Sequence, residues 1–327
     1  MILAVCLNPA VDVTYVVDAV RPGASHKVST VHRRPGGKGI NVARVLAQLG
    51  EPVTLCGFAG GATGRWLRSA LAGSGSADSG STGSESAGSE SAGSGITDRL
   101  TEIEADTRQT VTVVDNDDAS VFNEPGPTLT SGDWARFTET FDELLKGCEV
   151  AVMSGSVPPG APGDAYAFLV RRAQHHKIAA IVDTAGPQLH AAADAGPAVL
   201  APNRAEIGRP EADAAELLTT ASEFSHRTGG TVVISAGRDG LVASDGRRAW
   251  TARPPRQITG NPTGAGDALT AGLARGLAHR QPWPQVLADA LALAAAAVAA
   301  PVAGQIDEPL YRELMASATV QEVAPCR

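Results

Sequence analysis

The chain of 327 residues carries 27 Lys and Arg against 35 Asp and Glu, a formal net charge of −8. That balance excludes a general polyanion-binding surface, nucleic acid included, but leaves room for local Arg and Lys clusters that hold a small phosphorylated ligand. Four cysteines at 6, 56, 148 and 326 show neither CxxC spacing nor histidine neighbours at metal-ligand distance, which fits a reducing cytosol and excludes a zinc or disulfide framework.

The length suits one large α/β domain with a small appendage. The opening "MILAVCLNPAVDV" reads as a first buried strand; it has no basic n-region and meets Asn8, Pro9 and Asp12 too soon for a signal peptide. Stretches 11–20 and 26–34 show β-branched alternation with no helix between them, and 107–115 does the same further on. Together they predict a small antiparallel sheet beside the main domain, suited to act as a lid and, through its exposed edges, as an oligomer contact. Between them, "RRPGGKGINVARVLAQLG" (33–50) is a glycine turn followed by an amphipathic helix with Ile40, Val42, Val45, Leu46 and Leu49 on its apolar face. Gly36, Gly37 and Gly39 let a ligand approach the backbone, and Lys38 or Asn41 can hold its hydroxyls or phosphate; a plain turn with a solvated lysine reads equally from these residues. The GxxxxGK[ST] spacing of a Walker A loop is missing, and no GxGxxG follows the first strand.

A helix pattern, "GRWLRSALA", leads into residues 73–95, a Gly/Ser run with GSESA twice and three acidic residues. It cannot bury a core and reads as a low-complexity, flexible insertion in a connection. From Val150 onward, short Val- and Ile-rich runs ending at Ser154, Asp183, Asn203 and Ser235–Gly237 alternate with three-turn helix patterns, as βαβ units of a parallel sheet do. Ligands of such sheets bind at the carboxyl ends of the strands. His175 and His176 read as surface residues. "NPTGAGDALTAGLARGL" (261–277) places Asp267 just past a Gly-x-Gly turn that opens a helix. Free backbone N–H groups and the helix dipole there suit an anion, although an aspartate at that place also caps a helix. The alanine-rich run at 290–304 is too short to span a bilayer and reads as a buried helix.

Taken in order, "LNPAVDVT", "PGGKGINVARVLAQLG", "DTRQTV", "FNEPGP", "SGSVPPG", "DTAG", "PNRAE", "SAGRDG" and "PTGAGDALTAG" resemble the ribokinase-like (PfkB) carbohydrate kinases, in their 1-phosphofructokinase and tagatose-6-phosphate kinase branch. The resemblance covers residues 1–327 apart from 73–95. It implies a single three-layer α/β domain, with a mostly parallel central sheet flanked by helices and a small β-sheet lid from about 11–34 and 98–124. It also implies a cytoplasmic enzyme that uses ATP and Mg²⁺, with a monovalent cation as a further expected cofactor, to phosphorylate a sugar phosphate. Fructose 1-phosphate is the first choice of substrate, tagatose 6-phosphate or another hexose the second, and a non-catalytic sugar-phosphate sensor the third. By the same resemblance Asp267 is the base, and the N–H groups of Gly264, Ala265 and Gly266 cover the transferring phosphoryl. Asp12, Gly37, Lys38 and Asn41 line the sugar site, and Arg108 reaches from the lid to the substrate phosphate. Asn203, Ser235, Gly237, Gly240, Gly264 and Gly266 meet ATP, while Glu206 with Asn203 organises Mg²⁺ through water and phosphate. A homodimer through the lid is expected, with no nucleic-acid or membrane partner. Two residues depart from the family's habit: Ala201 stands where a lysine usually precedes Pro-Asn, and Thr110 replaces an asparagine after the lid arginine.

Overall fold

The structure is a computed structural model that describes residues 1–73, 95–115 and 119–324. All but the two end residues of the Gly/Ser run lie outside the described residues, as does Cys326. The chain begins β1 (Ile2–Cys6), β2 (Ala10–Val16), β3 (Thr30–Gly36), α1 (Lys38–Gln48), β4 (Val53–Gly60), α2 (Gly61–Leu71), β5 (Ile96–Ile103), β6 (Gln109–Val114) and β7 (Ala119–Asn123). It continues α3 (Ser131–Leu145), β8 (Val150–Ser154), α4 (Ala165–His175), β9 (Ala179–Asp183), α5 (Pro187–Ala195), β10 (Val199–Leu200), α6 (Ala214–Thr228) and β11 (Thr231–Ser235). The last elements are β12 (Leu241–Ser244), β13 (Ala249–Arg253), α7 (Ala265–Ala278), α8 (Trp283–Ala299), α9 (Glu308–Ser317) and β14 (Thr319–Val323).

Two sheets result. The larger has the order β14-β13-β12-β11-β10-β9-β8-β1-β4-β5. Its pairings from β5 through β11 are parallel, and β12 to β14 add an antiparallel edge. Along β1 the side chains alternate: Ile2 and Ala4 join a core formed with α1, α7 and α8, whereas Leu3 and Val5 join Phe137, Phe141, Tyr166 and Leu169 of α3 and α4. A strand buried on both faces has to be apolar throughout, which is why "ILAVC" shows no polar alternation. Helices α1, α2, α7 and α8 therefore form one outer layer and α3 to α6 the other.

The smaller sheet has the order β3-β2-β6-β7. Its β2–β3 and β6–β7 pairings are antiparallel, and a parallel β2–β6 pairing joins the two ribbons. One expectation needs correction here. Residues 98–103 belong to β5, which pairs in parallel with β4 along its whole length at the edge of the large sheet. The lid portion of that segment begins only at Gln109. The alternation of "ITDRLTEI" reflects an edge strand with one face turned to solvent, and such a pattern looks alike in either sheet.

The helix that carries Asp267 is held by close packing. A Cβ on Gly272 of α7 would stand 2.5 Å from the Cα of Ala290 in α8, so the two helix backbones touch with no side chain between them. Gly272→Ala is expected to destabilise the fold: overpacking of about 1–3 kcal/mol outweighs the ~1 kcal/mol that Ala contributes over Gly to a helix. A urea midpoint that rises in this variant would show that α7 and α8 do not meet so closely.

Candidate active site

Helices α3 and α6 both open with a capping box, from Thr130 with Asp133 and from Asp213 with Glu216, so their first N–H groups are occupied. Helices α1 and α7 open on glycine instead. Gly37 (φ 104°) and Gly264 (φ 86°) sit in left-handed backbone and supply no capping side chain. At α7 the Ala265 N–H donates to Pro262 O (3.1 Å), which closes the turn. Among the described residues the N–H groups of Gly266 and Asp267 have no acceptor. Of the three expected phosphoryl-facing amides, Ala265 is thus spent on the turn, while Gly264 and Gly266 have no acceptor among the described residues and Asp267 adds a further free donor.

The carboxyl ends of β8 and β9, with the turn after β10, converge on these two helix starts. Asp183, at the end of β9, accepts from Lys38 Nζ (2.9 Å) and from Ser154 Oγ (2.8 Å). Lys38 Nζ also donates to Glu206 Oε1 (2.8 Å), while Glu206 Oε2 accepts from the Asn203 N–H (2.9 Å). Asn203 Oδ1 in turn accepts from the N–H groups of Ala205 and Glu206 (2.9 Å each). Lys38 is desolvated, yet Asp183 and Glu206 hold it above the usual lysine range. Sequence reasoning put Lys38 on the sugar; the structure joins it to the carboxylates at the Asn203–Glu206 turn. Asp183 and Ser154 ended predicted strands but were not picked as site residues, because only the fold shows that Asp183 meets Lys38 and that Ser154 meets Asp183.

Asp267 is buried and accepts from Asn41 Nδ2 (2.8 Å). Burial and the nearby Asp183 carboxylate push its pKa up to about 7, against the opposing pull of Lys38 and Asn41. That is a value fit for a base working near neutrality. On the other side of α1, burial raises Asp12 to about 6 although Arg108, Thr110 and Arg44 all favour its ionised form. Its carboxylate lies over Gly36, where a Cβ would come within 2.1 Å of Oδ2, so position 36 has no room for a side chain. Arg108 donates from Nε to Asn8 O (3.2 Å) and from Nη1 to Thr110 Oγ1 (3.4 Å) and Glu124 O (3.2 Å). Arg34 and Arg44 join this cluster. Neither was singled out from the sequence, though Arg44 stands one helical turn after Asn41.

Beside the start of α7 lies a cleft of about 740 Å³ lined by Asn203, Ser235, Gly237, Gly240 and Gly266 at one end. Ile258, Leu269, Leu291, Ala294 and Val298 form the apolar remainder. Such a cleft suits a flat apolar ring with phosphates at its polar end. Among the described residues no group of three or more His, Cys, Asp or Glu could hold a metal ion by itself, and Cys6, Cys56 and Cys148 are free and buried. No helix among them is long and apolar enough to cross a membrane.

A parallel α/β sheet with a buried carboxylate and free helix-start amides at its carboxyl edge, next to an apolar cleft, fits a phosphotransferase of the small-molecule kinase type. Residues 1–75 and 80–308 match the model of the pfkB family of carbohydrate kinases, and the chain belongs to that family. It is 29% identical over 330 residues to tagatose-6-phosphate kinase of Staphylococcus epidermidis, covering 99% of this chain and 100% of the relative. The fold superposes on phosphofructokinase-2 from Escherichia coli, solved in a tetrameric inhibited form, with a TM-score of 0.84 at 25% identity, covering 97% and 98% of the two chains. A possible 1-phosphofructokinase from Thermotoga maritima shares the fold with a TM-score of 0.83 at 24% identity over 99% of each chain. The family implies ATP as the phosphoryl donor.

The Asp267 pKa fixes two pH effects. Below about pH 4 the carboxyl is protonated in folded and unfolded chains alike; as pH rises, the unfolded chain ionises first and the folded state loses stability until Asp267 itself ionises near 7. Asp267→Asn is therefore expected to melt at a higher temperature than the wild type at pH 8 and at nearly the same temperature at pH 4. Equal melting curves at pH 8 would mean that burial does not disfavour the charge. In the wild type, kcat/KM is expected to rise with pH to half its plateau near 7, and Asn41→Ala to move that point upward by removing a donor to the carboxylate.

Proposed function

We propose that the protein transfers the γ-phosphoryl group of ATP to a hydroxyl of a sugar phosphate, with fructose 1-phosphate, giving fructose 1,6-bisphosphate, as the first candidate. The observation that carries this reading is the pairing of a buried base, Asp267, with two free amides at the start of α7. The phosphorylated acceptor is supported by the arginines around Asp12. Asp267 takes the proton of the attacking hydroxyl, and the Gly266 and Asp267 N–H groups stabilise charge on the phosphoryl in flight. Asp12, Gly37 and Asn41 hold the sugar hydroxyls, and Arg108 holds the acceptor's phosphate. The adenine occupies the apolar part of the cleft, with Asn203, Ser235, Gly237 and Gly240 at its polar end.

The donor set suits Mg²⁺. Carboxylate oxygens of Glu206 and Asp183 already converge on one cationic group, and Mg²⁺ is held by one or two carboxylates together with water and substrate phosphates. Glu206, with Asn203, would hold the ion through water, and the ion would supply positive charge to the ATP phosphates. Position 201, just past β10, is buried and carries only Ala; Lys38 from α1 supplies a cation at this edge through its pairs with Asp183 and Glu206, and Arg204 and Arg238 line the adjoining cleft. The Escherichia coli neighbour was also solved in complex with potassium, which motivates testing a monovalent cation here.

A second acceptor, tagatose 6-phosphate, is favoured by the name of the Staphylococcus epidermidis relative. A coupled assay of ATP consumption with fructose 1-phosphate, tagatose 6-phosphate, fructose 6-phosphate and free fructose separates these readings. Turnover with none of them in the presence of Mg²⁺ would leave the sensor reading standing. Asp267→Asn is expected to lower kcat at least ~10²-fold, the contribution of a general base. A variant that keeps half the wild-type kcat would remove Asp267 from that role.

The small sheet serves in this reading as a lid and as the contact of a homodimer. Every residue of β7 is exposed, with Val121 at 55% and Phe122 at 62% of full accessibility, and β7 is the last strand of the small sheet among the described residues. Phe122→Asp is expected to turn a dimer in sedimentation experiments into a monomer; an unchanged sedimentation coefficient would place the contact elsewhere.

A further inference from the structure

Arg34 pairs with Asp12 in the β2–β3 register, so both side chains leave the same face of the small sheet. Arg44 of α1 acts on the Asp12 carboxylate from the main domain, and Arg34 and Arg44 are close enough for their repulsion to lower the Arg44 pKa. Arg108 acts on the same carboxylate as Arg44, while Arg34 stands opposite Asp12 in the strand register and close to Arg44.

These arginines are not equally engaged. Arg108 donates to three oxygens of the protein. Arg44 has one long contact, to Ala303 O at 3.5 Å. Among the described residues Arg34 has no ion pair and no side-chain hydrogen bond, although it is partly buried and desolvation lowers its pKa. Holding two partly desolvated like charges side by side without an anion is unfavourable. The imbalance is relieved by a dianion, and a planar guanidinium presents donors that match phosphate oxygens in pairs.

We infer that Arg34 and Arg44 form one seat for the phosphate monoester of the acceptor sugar, with Arg34 as the residue that separates phosphorylated from unphosphorylated acceptors. The inference rests on the sugar-phosphate reading above and adds to it two residues, one from the small sheet and one from α1. An unphosphorylated sugar leaves the pair without its counter-charge. Binding a phosphorylated one also draws the small sheet toward α1, because the two arginines stand on different parts of the fold.

The test is calorimetric titration of fructose 1-phosphate, tagatose 6-phosphate and free fructose, without ATP, into the wild type, Arg34→Gln and Arg34→Lys. A non-hydrolysable ATP analogue, expected to bind all three proteins alike, reports that each is folded. Arg34→Gln is expected to weaken binding of the preferred sugar phosphate about tenfold or more, the range of one charge-assisted contact. Arg34→Lys should recover part of that loss, and binding of free fructose should stay as it was. Inorganic phosphate should compete with the sugar phosphate in the wild type and much less in Arg34→Gln. Unchanged affinity in Arg34→Gln, or equal losses for phosphorylated and free sugar, overturns the assignment of Arg34 and leaves the sugar-phosphate reading intact. A wild type that binds the ATP analogue but neither sugar phosphate overturns both.

Discussion

One ammonium group holds the centre of this molecule together. Lys38 Nζ lies between Asp183 and Glu206, residues 145 and 168 positions further along the chain, and its charge also acts on Asp267. Three carboxylates gathered at the edge of a sheet, two of them buried, repel one another strongly in a poorly solvated setting. A lysine at the first position of α1 offsets that repulsion and makes their proximity tolerable. Removing it would leave uncompensated acids in the interior, which is more damaging than never having placed a pair there. The same contact joins the first βα unit to the second half of the sheet, so fold and chemistry share a single electrostatic fastening.

What sits around that fastening follows from chain geometry. Parallel strands all point the same way, and whatever follows β8, β9 and β10 has to emerge on one edge. Short polar residues at those ends fall within hydrogen-bond reach of one another, as Ser154 and Asp183 do. Helices α1 and α7 start at the same edge and begin on glycine without a capping side chain, whereas α3 and α6 occupy their first amides with capping boxes; at α1 the Gly39 and Ile40 amides turn to Cys6, and at α7 those of Gly266 and Asp267 have no acceptor among the described residues. Asp267 is therefore flanked by donors without any dedicated binding loop. Its raised pKa comes first from burial and then from the same crowding: the neighbouring carboxylate that adds to its reluctance to ionise, Asp183, is the one that anchors Lys38.

Much of this was legible in the chain. Buried parallel strands announce themselves as apolar runs ending in small polar residues, and the glycine turns before Lys38 and Asp267 mark both site helices. The motifs in their order identified the family. Partnership was not legible. A lysine after two glycines reads alike whether it faces a sugar, a carboxylate or water, and only the sheet order brings Asp183 and Glu206 to it. Ala265 had the right position for an anion-facing amide, but a turn bond to Pro262 removes it from use. Ile96–Ile103 shows the period of a half-exposed strand, and period says nothing of which sheet the strand joins. Arg34 and Arg44 were hidden for a related reason: each is an ordinary surface cation in its own segment, and their common neighbour Asp12 lies on a third.

Strand β3 ends at Gly36 and α1 begins at Lys38, with Gly37 alone between them. Of the connections between the small sheet and the main domain, this one consists of a single permissive residue, with no slack of loop to absorb a change of angle. A tilt of that sheet about Gly37 is passed directly to the first turn of α1, which carries both the lysine gripping Asp183 and Glu206 and the asparagine bonded to Asp267. The strand that carries Arg34 and the helix that carries Lys38 and Asn41 are thereby joined with no hinge loop between them.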